Sequence, residues 1–160
     1  MTNNLSKLLK TSQKPLLVSY LMTGYPNFTA SLKFAETLIE NGTDILELGI
    51  PFSDPMADGK LIANSAKIAL EANIKLADGL KLAAHLRAKY PSLPIILMGY
   101  LNPFLKYPMA DLAKSGKALI DGLIIVDLPI EENHQYKALL KANQLSLIEL
   151  LSPNTSLNRA

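Results

Sequence analysis

The 160-residue sequence has no cysteine, no tryptophan and only two histidines. Without cysteine there is no disulfide, no thiolate nucleophile and no Cys-ligated zinc, a composition that fits a reducing compartment. His85 and His134 fall on expected helices with no acidic partner at ligand spacing, so they supply neither a metal site nor a Ser-His-Asp triad. Charged residues make up only 19% of the chain, below the roughly 25% of soluble domains in general, which argues against disorder and against a charged tail. The net charge of +2 is spread without a basic run, so nucleic acid is not an expected partner. Gly-x-Gly-x-x-Gly and Walker A sequences are absent. The apolar stretch 16–22 is too short to span a bilayer and no secretory leader precedes it. A cytoplasmic protein away from membranes is expected.

What is present is apolar: 49% of residues are hydrophobic, enough for a real core in one domain over 1–160. Five short runs, 15–22, 44–50, 94–100, 119–127 and 145–151, are almost continuously apolar instead of alternating. That is the signature of parallel strands buried on both faces. Helical patterns separate them. One covers 29–41 and stops at Gly42, a good residue just past a helix end. Two more lie at 61–72 and 78–90, and a short one at 109–114 precedes Gly116. The last, 130–142, has Pro129 near its first turn, with Glu131 and Glu132 at the favourable end of the dipole. Near the N-terminus Leu5, Leu8 and Leu9 are helically spaced. Five β-α units suit either a doubly wound sheet or part of a (β/α)8 barrel, which needs about 250 residues when complete.

Both architectures put chemistry at the C-terminal ends of the strands. The densest candidate there is Glu47-Leu48-Gly49-Ile50-Pro51-Phe52-Ser53-Asp54-Pro55-Met56-Ala57-Asp58-Gly59. Glu47 sits between Leu46 and Leu48, where desolvation raises a carboxyl pKa and makes a usable acid or base near neutrality. The loop after it, shaped by Pro51, Pro55 and Gly59, presents Asp54 and Asp58. The competing reading pairs Glu47 with a cation and leaves the aspartates bonding turn amides. Asp127 ends the fourth run and either braces a catalytic group or caps the helix that follows, the cap being the default. In Gly99-Tyr100-Leu101-Asn102-Pro103, Tyr100 reads as core and Asn102-Pro103 as a turn, with a hydrogen bond from Tyr100 into the pocket as the alternative.

Taken together, Thr23-Gly24-Tyr25-Pro26, the long acidic motif, Met98-Gly99-Tyr100-Leu101-Asn102-Pro103, Asp127-Leu128-Pro129 with Glu131-Glu132, and Ser152-Pro153-Asn154-Thr155 with Arg159 resemble the tryptophan synthase alpha subunit family. The acidic motif is the specific one; the others fall in the family's order. After Gly59 the chain departs from the family's usual Pro, variable, Ile, Gln and reads Lys60-Leu61-Ile62-Ala63. The resemblance implies an α/β fold of the (β/α)8 TIM barrel family, with this chain covering about the first five β-α units and ending after the fifth strand. It implies a carbon-carbon lyase of tryptophan biosynthesis, cleaving indole-3-glycerol phosphate to indole and glyceraldehyde 3-phosphate without metal or organic cofactor. Glu47 would be the general acid/base and Asp58 the carboxylate facing the indole nitrogen. Tyr20, Met98, Tyr100, Ile124, Val126 and Leu150 would line the indole pocket, with Asp127 beside it. The partner would be a pyridoxal-phosphate beta subunit in a linear α-β-β-α complex, the cofactor belonging to that partner. Asp54, Asn102, Pro103 and Phe104 would face it. Another barrel aldolase or isomerase, or a non-catalytic fragment docking on a beta partner, remain the alternatives.

Overall fold

A computed structural model describes residues 3–158. Helix α1 (Asn4–Thr11) precedes strand β1 (Val18–Met22), α2 (Phe28–Glu40) and β2 (Ile45–Gly49). Helices α3 (Lys60–Glu71) and α4 (Leu76–Lys89) then lead to β3 (Ile95–Gly99). Helices α5 (Leu101–Lys106) and α6 (Met109–Gly116), β4 (Gly122–Ile125), a 3-10 turn at Ile130–Glu132, α7 (His134–Ala142) and β5 (Ser146–Ile148) complete the order. The local causes are short-range. Asn3 Oδ1 accepts from Ser6 N at 2.8 Å and Asn27 Oδ1 from Ala30 N at 2.9 Å, capping α1 and α2. Asp78 closes the start of α4 by accepting from Lys75 N at 3.0 Å. None of the described helices is long and apolar enough to cross a membrane.

All five strands are parallel and lie in sequence order, β1-β2-β3-β4-β5. A doubly wound sheet reverses its order at a switch point and carries helices on both faces. Here the order never reverses. Leu46, Leu48, Ile95, Leu97, Leu123 and Ile125 point to one face, where they form the main core with residues of α2, α4, α5, α6 and α7. The other face carries Ile45, Ile96 and Ile124, covered by Leu5 and Leu8 of α1. Sequential parallel strands with crossover helices on one side are barrel architecture, which decides between the two expectations.

Two local expectations are corrected. Residues 101–106, read as a turn at Asn102-Pro103, form α5; Pro103 is its third residue, in the first turn, where a missing N–H costs no helical hydrogen bond. The helix expected over 130–142 starts at His134 instead, so Glu131 and Glu132 belong to the 3-10 turn and not to its first turn. Buried Asn133 separates the two pieces, its amide donating to Glu149 Oε1 at 2.5 Å.

At the N-terminal ends of the strands, Asp121 is 2% exposed and organises four elements. Its Oδ2 meets Arg87 Nη2 of α4 at 2.7 Å and accepts from Ile95 N at 3.0 Å, while Oδ1 accepts from Asn4 N at 2.7 Å. Arg87 also donates to the carbonyls of Pro91, Leu93 and Leu119. Asn3 Nδ2 donates to the carbonyls of Asp121 (2.7 Å) and Gln144 (2.9 Å), seating α1 against β4 and β5. This end is bracing. The chemistry lies at the other.

Candidate active site

Strand alternation puts Ile45, Glu47 and Gly49 on the inner face while Leu46 and Leu48 disappear beneath the helices. Glu47 is therefore a carboxyl on an apolar sheet surface, half-buried, with no cation paired to it among the described residues. Burial pushes its pKa above the ordinary 4.5. That answers the ion-pair reading of Glu47.

The loop after β2 folds back through short-range bonds, Met56 N to Asp54 O at 2.9 Å and Asp58 N to Pro55 O at 3.2 Å. Tyr100, at the end of β3, fixes it: its hydroxyl accepts from Ala57 N at 2.9 Å, next to Asp58, whose carboxyl lies near enough to feel it. Its ring lies 5.2 Å from that of Phe52. Burial raises the Asp58 pKa and the Tyr100 hydroxyl partly opposes it. Tyr100 is thus both buried, as the local reading had it, and part of the cavity lining.

A narrow cavity gathers Tyr20, Asp58, Met98, Tyr100 and Val126, five of the residues singled out from sequence. Glu47 pairs in register with Tyr20 on the neighbouring strand, just below this cavity. Met22, Phe52 and Ala66 also line it and were not foreseen. Phe52 stands in the acidic motif immediately after Pro51, so its place at the strand end was a usable signal. Ala66 lies on α3, and no spacing rule connects it with β3.

The other expected residues lie apart. Ile124 sits deeper, in the inner-face cluster with Ile45 and Ile96. Leu150, 55% exposed, lines a separate cavity beyond β4 and β5, which shares Val126 with the first. Asp127 does cap a helix, but not the one that follows it: its Oδ1 accepts from Leu101 N at 2.6 Å, at the start of α5. The strand ends of β3 and β4 are adjacent, which brings α5 closer than the helix after Pro129. Asp54 is exposed and accepts from Ser53 Oγ at 2.5 Å. Asn102 and Pro103 reach the surface, whereas Phe104 is fully buried against the sheet and has no surface to offer a partner. Ser152 and Thr155 close a turn, Thr155 N to Ser152 O at 2.9 Å; Arg159 lies outside the described residues.

Comparisons with known proteins agree with this arrangement. The family model described as tryptophan synthase alpha chain matches residues 6–160. The tryptophan synthase alpha chain of Aquifex aeolicus is 42% identical over 152 residues, 94% of this chain and 58% of its own length. That of Roseiflexus is 43% identical over 148 residues, 92% of this chain and 57% of its own. A crystal structure of tryptophan synthase subunit alpha from Legionella pneumophila superposes with a TM-score of 0.93 at 37% identity, covering 99% of this chain and 62% of that one. The chain therefore spans less than two thirds of the relatives it matches. With strand order, inner-face carboxyl and acidic loop all in place, the chain belongs to the tryptophan synthase alpha chain family.

Proposed function

We propose that this chain carries the acid/base centre of a lyase that splits indole-3-glycerol phosphate into indole and glyceraldehyde 3-phosphate, a cytoplasmic step of tryptophan biosynthesis. The observation that carries the reading is two carboxyls raised by burial at one strand end, Asp58 lining an aromatic-walled cavity and Glu47 in register with Tyr20, which lines the same cavity. A retro-aldol cleavage needs one proton delivered to ring C3 and one removed from the side-chain hydroxyl next to it. A carboxyl with a raised pKa starts protonated nearer neutrality, so Glu47 can give its proton to C3 and then take the hydroxyl proton. As the bond between C3 and the side chain breaks, its electrons return to the ring and the side-chain carbon becomes the aldehyde. Protonated C3 leaves positive charge at the indole nitrogen, and the Asp58 carboxylate beside Tyr100 faces that charge. Atoms and electrons balance with no external oxidant or reductant.

The same loop supports a docking role. Met56 is 84% exposed and Leu61 87% exposed, on either side of Asp58 in the sequence, and Asp54 of the same loop is exposed too. Apolar side chains offered beside polar ones suit a protein partner, here a beta subunit that holds pyridoxal phosphate. The test is indole release from indole-3-glycerol phosphate by parent and Glu47→Gln. Indole from the parent with a loss of at least about 100-fold in the variant is the expected result. Activation of a beta partner by both, with indole from neither, would leave docking as the function.

A further inference from the structure

Tyr20 is a hydroxyl-bearing ring in a pocket where an apolar wall would satisfy a flat aromatic substrate. It faces inward from β1, in register with Glu47. Its ring does not stand beside that carboxyl but leans forward across the bare Cα of Gly49. A Cβ at position 49 would collide with the Tyr20 hydroxyl oxygen and lie 2.6 Å from its Cζ. Glycine at 49 is what leaves the path open. The hydroxyl is thereby carried two residues along β2 toward the cavity it lines with Asp58 and Tyr100. Among the described residues it makes no hydrogen bond, unlike the Tyr100 hydroxyl beside it. Burial first, then the fields of Asp58, Glu47 and Tyr100, hold its pKa well above the ordinary phenol value of 10.0. It is an O–H that keeps its proton, with that proton unspent.

We propose that the Tyr20 hydroxyl, set over Gly49 at the cavity it lines with Asp58, contacts the substrate and donates a hydrogen bond to the side-chain hydroxyl oxygen that loses its proton. This rests on the lyase reading above. Asp58 faces the ring nitrogen, and Glu47 can offer that oxygen only the proton it has just taken from it, so a second donor must come from elsewhere. Tyr20 is that donor. It keeps its own proton throughout; the substrate's proton goes to Glu47, and negative charge developing on the oxygen is met by the phenol O–H until the aldehyde forms.

Tyr20→Phe keeps the ring over Gly49 and removes only the donor. Indole release is measured for both proteins, together with inhibition by an indole bearing the same phosphate-ended three-carbon chain without hydroxyls. The variant is expected to lose at least about tenfold in kcat with KM changed less than about threefold. The deoxy inhibitor, which has no oxygen for Tyr20 to meet, is expected to bind both proteins equally. Equal kcat in the two proteins overturns the assignment. So does a loss in which the deoxy inhibitor weakens in parallel, because that reports packing. No indole from the parent itself overturns the lyase reading and this assignment with it, a failure told apart by appearing before any substitution.

Discussion

A carboxyl on the inner face of an apolar sheet costs the fold stability whenever it is charged, and Glu47 carries that cost. Its native pKa lies above the ordinary 4.5 through burial. Between those two values the native state holds more protons than the unfolded chain, so stability falls as pH rises through this window. Glu47→Gln removes the titration. The variant is expected to melt with the parent below the ordinary 4.5 and increasingly above it as pH rises from there to the raised native pKa, the gap staying constant beyond, read by thermal unfolding at a series of pH values; a parallel pair of curves would refute it. Glu47 and Asp58 drew notice in the sequence as a carboxylate inside an apolar run and one in the shaped loop after it, each with a bland reading beside it; their separate roles came from the family resemblance. Tyr100 and Asp127 were half legible. Each was placed at the right strand end, but the residues they touch, Ala57 and Leu101, come from other segments that only the adjacency of β2, β3 and β4 brings near. Phe104 shows the opposite error: a position within a surface-facing motif whose side chain turns inward because α5 needs an apolar face.

At the scale of elements, every strand falls inside one of the five apolar runs, since continuous hydrophobicity and short length leave little else for such runs to be. Helix α5 escaped because Pro103 reads as punctuation, although the first turn of a helix tolerates it. The polar brace at the strand bases escaped too. Asp121 lies inside an apolar run and its partners Arg87, Ile95 and Asn4 are 26 to 117 residues away. Removing its carboxylate strands a guanidinium whose side chain is only 16% exposed, along with two backbone donors. Asp121→Ala is expected to cost about 3–5 kcal/mol, measured from the urea midpoint; a change below about 1 kcal/mol would mean water replaces it freely.

For the whole molecule, the decisive fact is that strand order is monotonic and the described sheet does not close, so β1 and β5 are its edges. Unpaired N–H and C=O groups on β1, together with half-exposed Val18, make a template for another strand. The 160-residue chain on its own is expected to self-associate with rising concentration, read by light scattering after size exclusion. Val18→Lys should weaken that association. A strictly monomeric parent at high concentration would show that the edge is protected. The order of the strands also says something about time. Each strand pairs with the one made just before it, so β1 to β4 can assemble in the sequence in which a ribosome releases them. Helix α1 cannot follow that rule. Its seat is built by Asp121 and Gln144, 118 and 141 residues beyond Asn3. The helix that opens this sequence must wait, apolar side uncovered, until nearly all of these residues have emerged.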